Sequence, residues 1–281
     1  MIAFARKRIK AWCPASALAA VRASRRMWRR VRAYPRVATC DVRGVRIRLR
    51  ISTELELHRA TTYTTKEPET IEWLRTQLRH DDVLFDVGAN VGLYSLYAAA
   101  LQPAARIYAF EPHVQNFSRL CENMQLNGFT NITPCCFPLS DDDAYATFNV
   151  YDTRPGSALH SLTALNDWRG SGKDLVQIRQ GTLSVSIDTL VQRHGLPAPT
   201  LLKIDVDGIE PQILAGARAL LASGRIRSVL VEVTENADRQ GQTWAEQVLS
   251  EHGYRFTDVN AREFIVNGLK SRNCIFTRAI A

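Results

Sequence analysis

Two periods run through the chain's hydrophobic and polar residues. Val45, Ile47, Leu49 and Ile51 alternate with Arg46, Arg48 and Arg50 after a turn at Gly44, which predicts a half-buried strand. Ile71, Trp73, Leu74 and Leu78 then mark a helix over 68–79, with Pro68 near its start. From residue 83 onward, short apolar runs take turns with amphipathic stretches. Strands are expected at 83–87, 106–110, 132–137, 201–206 and 228–233. Helices are expected at 91–101, 114–127, 186–194 (with Asp188 as a cap), 211–222 and 243–252. Strands at 254–258, 263–266 and 273–277 close the pattern, while 141–180 reads as polar and irregular with one strand at 146–151. Such alternation predicts an α/β fold: a doubly wound, mostly parallel sheet with helices on both faces and an antiparallel C-terminal edge. Ligands of such sheets lie at the carboxyl ends of the strands, near the switch point in strand order.

Composition changes this picture mainly at the N-terminus. The 281 residues are 46% hydrophobic and 23% charged, which fits one sizeable globular core. The net charge of +8 is unevenly spread: residues 1–39 hold eleven Lys and Arg and no Asp or Glu. A basic arm (1–39) and a body (40–281) are therefore expected, and the body's lack of basic excess argues against nucleic acid as a partner. Leu18, Val21, Trp28 and Val31 share one helical face among the arm's arginines. Three readings of the arm stay open: an amphipathic helix on an anionic membrane, a solvated disordered extension, or an organelle transit peptide. No run reaches the ~18–20 apolar residues of a membrane span. Pro14 interrupts the mildly apolar stretch 11–21 and arginines follow it, so a secretory signal is not expected either. The expected location is cytoplasmic, peripheral to a membrane under the first reading. Cys13, Cys40, Cys121, Cys135, Cys136 and Cys274 form no C-x-x-C pair, and reduced thiols are expected.

Candidate chemistry gathers at strand ends. The first βα turn reads Asp86-Val87-Gly88-Ala89-Asn90-Val91-Gly92. Its glycines permit positive φ and close backbone approach, and the helix that follows offers free N–H groups. A pyrophosphate-binding turn would carry a third glycine, as G-x-G-x-x-G. Asp86 would repel a pyrophosphate but attract an ammonium and a sulfonium, which favours S-adenosylmethionine over NAD. Glu111, ending the second strand, can accept hydrogen bonds from ribose hydroxyls. Lys203, Asp205, Asp207 and Glu210 gather where a strand enters a helix. Paired acids there can serve as a general base or hold a cation, and Asp207 and Glu210 can equally cap the next helix. No third metal ligand is apparent, so no metal is expected. His113, after Glu111-Pro112, and His160, in the irregular segment, are further candidate bases.

The segments FDVGANVGLYSLYAA, YAFEPHVQNFSRLCENMQLNG and LLKIDVDGIEPQILAGA, in that order, resemble the FkbM-type methyltransferases over roughly residues 60–277. SVSIDTL with Asp188 and SVLVEV with Glu232 are similar to later family elements, and Asp207 departs from the family's usual Glu. The resemblance implies a class I methyltransferase-like (Rossmann-like) fold and O-methylation of a hydroxyl on a sugar, glycolipid or related metabolite. It implies Asp86, Gly88, Ala89, Asn90 and Gly92 around the methionine part and ribose, Glu111 at the ribose diol, and Ser140 and Asp141 near the adenine. Lys203, Asp205 and Asp207 would face the methyl-transfer site, and Glu67 would close over the cofactor. Asp205 is the first choice for a base and His160 the second. Two alternatives stand beside this reading: an NAD-dependent oxidoreductase and a non-catalytic S-adenosylmethionine-binding module.

Overall fold

The computed structural model describes residues 36–162, 176–235, 243–257, 263–266 and 269–278. The expectations for residues 1–35 lie outside these. Strands β1 (Val37–Val42) and β2 (Val45–Arg50) pair as an antiparallel hairpin. Its two-residue turn, Arg43-Gly44, has positive φ at both positions, the twist that suits a tight hairpin. Ile47 and Leu49 are buried while Arg46, Arg48 and Arg50 are exposed, as their alternation requires. The expected boundary between residues 39 and 40 falls within β1.

Helix α1 (Glu54–Thr62), which the sequence pattern does not predict, starts at a capping box formed by Thr53 and Glu56. Helix α2 (Pro68–Gln77) follows. The core then winds through β3 (Val83–Val87), α3 (Leu93–Leu101), β4 (Arg106–Phe110), α4 (Val114–Asn127) and β5 (Ile132–Cys135). An insertion supplies β6 (Ala144–Val150), β7 (Ser161–Leu162) and β8 (Ile178–Ser184), a separate antiparallel sheet ordered β7-β6-β8. The core resumes with α5 (Ile187–Gln192), β9 (Leu201–Ile204), α6 (Glu210–Ala215), α7 (Arg218–Ser223), β10 (Ser228–Glu235) and α8 (Trp244–Glu251). It ends in β11 (Tyr254–Phe256), β12 (Phe264–Val266) and β13 (Leu269–Arg278).

The main sheet is ordered β11-β13-β10-β9-β3-β4-β5, with β12 paired to β13. Neighbours from β10 to β5 are parallel, and β13 runs antiparallel beside β10. The strand order reverses between β3 and β9, which locates the ligand crevice above their carboxyl ends. One sheet face buries Val83, Phe85, Leu202, Ile204, Val229 and Val231 against α5 to α8. The other buries Leu84, Leu201 and Leu230 against α2, α3 and the hairpin.

The helix expected at 211–222 is two helices. Asp188 breaks it: its backbone N–H takes the Gly216 carbonyl at 2.9 Å, and its carboxylate accepts from the N–H groups of Ala219 and Leu220. Asp188 therefore caps α7 across space, while Ser186 caps α5. Cys40, Cys121, Cys135, Cys136 and Cys274 are free thiols, of which only Cys274 is buried. No helix among the described residues is long and apolar enough to cross a membrane.

Candidate active site

Side-chain alternation puts charge at the top of one sheet face. Leu84, Leu201 and Leu230 point to the α2–α3 side, so the residues two further on, Asp86, Lys203 and Glu232, point there too. Asp86 and Lys203 are register neighbours on β3 and β9. The Lys203 ammonium, only 1% exposed, lies 3.3 Å from Asp86 Oδ1 and 3.1 Å from Asp205 Oδ2. The Tyr94 ring lies 5.1 Å beneath it. Burial opposes its charge, but Asp205, Asp86 and Glu67 overcome that and hold Lys203 ionised. Burial also works against the Asp205 carboxylate, yet Lys203, a hydrogen bond with Glu232 and the charge of Lys66 hold it well below the usual range. Glu232 moves the other way: burial and the Asp205 charge keep it protonated. The two carboxyl groups thus share one proton, and Asp205, with 26% of its side chain exposed, opens into the crevice.

The loop after β3 is built by backbone constraints. Gly88 has φ +82, and a Cβ there would sit 1.9 Å from the Asp205 carbonyl oxygen. Asn90 and Gly92 also have positive φ. The N–H groups of Gly88 and Ala89 both donate to the Phe110 carbonyl at 3.0 Å, which ties the loop to β4. Glu111 accepts from the Asn90 N–H at 2.7 Å and the His113 N–H at 2.9 Å. Burial nevertheless pushes its pKa up to about 7. Gly92 starts α3 with no side-chain cap. Asp86 itself accepts from the Ser95 hydroxyl at 2.5 Å.

A strap from the insertion crosses this loop. The Ser157 carbonyl accepts from Asn90 Nδ2 at 2.7 Å and from Asn116 Nδ2 at 3.0 Å. His160 donates its backbone N–H to Asp207 Oδ2 at 3.0 Å. Its ring packs tilted against that of His113, with 4.5 Å between centroids. Its Nδ1 accepts from the Tyr151 N–H and its Nε2 meets the Ser157 hydroxyl at 3.1 Å. Both ring nitrogens are therefore engaged within the insertion, by Tyr151 and Ser157. Asp207 is only partly buried. Burial and the neighbouring Asp205 charge push it up to about 6, against the opposing His160 hydrogen bond. Glu210 caps its own turn through the Gly208 N–H, and burial pushes it to about 8.

Asp86, Gly88, Ala89, Asn90, Gly92, Glu111, Lys203, Asp205 and Asp207 thus converge above β3, β4 and β9. Glu67 joins them, accepting from the Tyr94 hydroxyl at 2.7 Å and Lys66 at 2.5 Å. Ser140 pairs with Val185 and Asp141 and lies against Gly216, where a Cβ would meet its carbonyl at 2.1 Å. Asp141 is exposed. Sequence reading missed Tyr94 and Asn116. Tyr94 had a signal, two residues past Gly92 at the helix start, whereas Asn116 had none. No group of three or more His, Cys, Asp or Glu among the described residues could hold a metal ion.

Taking the core strands in chain order, β3, β4, β5, β9, β10, β11 and β13, the sheet reads 3-2-1-4-5-7-6 with the seventh antiparallel. With the acidic glycine loop after the first strand, this defines a class I methyltransferase. The Methyltransferase FkbM domain profile matches residues 86–256, and the chain belongs to that family of S-adenosylmethionine-dependent methyltransferases. It is 29% identical to the hexuronic acid methyltransferase AglP of Haloferax volcanii, over 74% of this chain and 78% of that one. It is 29% identical to the 31-O-demethyl-FK506 methyltransferase FkbM of Streptomyces tacrolimicus, over 63% and 74% respectively. Among solved structures it resembles the magnesium protoporphyrin IX methyltransferase of Synechocystis, with 12% identity, 91% of each chain covered and a TM-score of 0.46. Family membership displaces the NAD-dependent alternative. The donor set fits the cofactor: buried carboxylates suit a cation, Glu111 suits a diol, and the uncapped start of α3 offers N–H groups.

Proposed function

We propose that the chain O-methylates a hydroxyl of a sugar, glycolipid or related metabolite, with Asp207 as the general base. The carrying observation is the contrast between the two carboxylates that open into the crevice. Lys203 holds Asp205 ionised and weakly basic, while burial lifts Asp207 to about 6, nearer a working pH. The bound cofactor supplies a methyl group already activated on sulfonium. The chain aligns the acceptor oxygen, excludes water and receives the hydroxyl proton at Asp207. Asp205 then orients the acceptor, a revision of its sequence-based role. The two relatives, a hexuronic acid methyltransferase and a 31-O-demethyl-FK506 methyltransferase, support a hydroxylated acceptor. The Glu67, Lys66 and Tyr94 group forms the wall beside Lys203. The test is to incubate the protein with a labelled methyl donor and cell extract and identify the labelled product. Label on an oxygen of a glycan, glycolipid or related metabolite supports the reading; label on nitrogen or nucleic acid, or no transfer, refutes it.

We also propose a cytoplasmic protein that meets an anionic membrane surface through its N-terminal side. The exposed row Arg46, Arg48 and Arg50 supports this, because it extends the arm's basic character onto the folded body. Removing residues 1–35 should abolish sedimentation with phosphatidylserine vesicles while cofactor binding persists.

A further inference from the structure

The proposed base, Asp207, takes a hydrogen bond from a strap whose two central residues are held by one buried amide. Asn116 lies in the first turn of α4, 1% exposed. Its Oδ1 accepts from the Gly156 N–H at 2.8 Å and its Nδ2 donates to the Ser157 carbonyl at 3.0 Å. One planar amide thus satisfies consecutive peptide groups of a segment that belongs to no regular element. Asn90 of the cofactor loop shares the same Ser157 carbonyl, and its own N–H is held by Glu111. Further contacts hold the strap from α1: Thr53 Oγ1 donates to the Pro155 carbonyl at 2.9 Å and Arg59 Nε to the Gly156 carbonyl at 2.7 Å. Three residues past Ser157, after Leu159 at φ +67, the chain presents the His160 N–H to Asp207.

We propose that Asn116 is a positioning residue for methyl transfer: by fixing Gly156 and Ser157 beside the cofactor loop, it aims the His160 N–H at the Asp207 carboxylate. This rests on the reading of Asp207 as the base. The alternative for a buried Asn is a purely structural role in α4, but its hydrogen bonds to Gly156 and Ser157 leave the helix for the strap. The charged groups that face Asp207 are Asp205, Glu210, Glu232, Glu111 and Arg59. None of them is carried by the strap, although Arg59 also holds it, so withdrawing the strap chiefly removes the backbone hydrogen bonds of His160 and Leu159 to Asp207. A hydrogen bond to the carboxylate favours its ionised form, and losing it raises the ionisation midpoint.

The test needs no acceptor. In full-length Asn116→Ala, Asp207 is titrated through its carboxyl carbon resonance, backbone amide exchange is followed, and S-adenosylmethionine is titrated by calorimetry. The expected result is an upward shift of the Asp207 midpoint and at least tenfold faster exchange confined to residues 156–160, with cofactor affinity within threefold of wild type. Asn116→Leu keeps the size of the side chain but loses both the acceptor for Gly156 and the donor for Ser157, so it should show the same shift. An unchanged Asp207 midpoint in either folded variant overturns the proposal. So does faster exchange throughout α4, or failure of both variants to fold, since either makes Asn116 a core residue. If the midpoint shifts as expected but the protein transfers no methyl group to any hydroxyl, the functional reading falls and the positioning role stands.

Discussion

The parallel sheet and the insertion that lies over it solve different problems with different residues. The sheet carries Asp86, Lys203, Asp205 and Glu232 on strands and strand ends, where the pleat and the register set each position. The insertion carries His160, Ser157 and Asp152 on irregular backbone, held by side chains that reach out from the core. The first arrangement suits a cofactor whose shape does not vary. The second suits an acceptor pocket, where loop variation changes specificity without disturbing the frame.

Removing the cation from the frame should have the largest effect. Lys203→Met leaves the buried Asp86 and the partly exposed Asp205 without their counter-charge, and breaking a buried pair costs about 3–5 kcal/mol. A thermal melt should show a large loss of stability. If the Tm holds, the charged layer is not a structural part of the sheet. Next comes the boundary between the two regions. Asp207→Asn should lower turnover by about 100-fold with little change in cofactor affinity. Wild-type turnover should rise with pH through about 6 as Asp207 loses its proton, and the variant should lose that rise. Asp205→Asn should instead raise the Michaelis constant for the acceptor. The reverse pattern would return the base role to Asp205.

How legible these two regions are in the sequence follows the same division. Short apolar strands, the Gly88–Gly92 turn and the Gly128 helix stop are local signals, and the winding of the core could be read from them. The face shared by Asp86, Lys203 and Glu232 was also readable, because a period of two sets all three. Helix α1 escaped notice because it buries Glu56 rather than an apolar row. That carboxylate pairs with Arg119 at 2.8 Å, a contact no local pattern announces. Strand β8 escaped because most of its residues are exposed and Gly181 interrupts it. The partners of His160 were illegible for the same reason: Tyr151 and Ser157 are set by tertiary folding of a polar segment.

Two smaller effects sharpen the contrast. Glu111 ordinarily ionises near 4.5 and is pushed to about 7 in the fold. Between those values the folded protein keeps a proton that the unfolded chain has lost. The stability this contributes is full at low pH and gone once pH has risen through about 7. A cationic cofactor with a diol favours the ionised carboxyl, so its affinity should rise over the same interval and its binding should release a proton. Calorimetry in two buffers of different ionisation enthalpy reads that proton, and Glu111→Gln should abolish it. At the far side of the insertion, Tyr145 is 76% exposed and its ring lies across Gly181. Tyr145→Ser should cost only about 0.5 kcal/mol and leave turnover unchanged. A large activity loss there would mean that the outer face of the small sheet takes part in acceptor binding.

Strand β13 sets a schedule for assembly. It is the last strand described, yet it lies between β10 and β11 and also pairs with β12. While the chain is being synthesised, β10 waits with a bare hydrogen-bonding edge, and β11 has no neighbour until residues 269–278 arrive. An unpaired edge invites association with other chains. A nascent chain stalled before β13 should therefore be the species that chaperones capture, and a stop codon shortly before residue 269 should send the product into the insoluble fraction even though every residue of the crevice has been made.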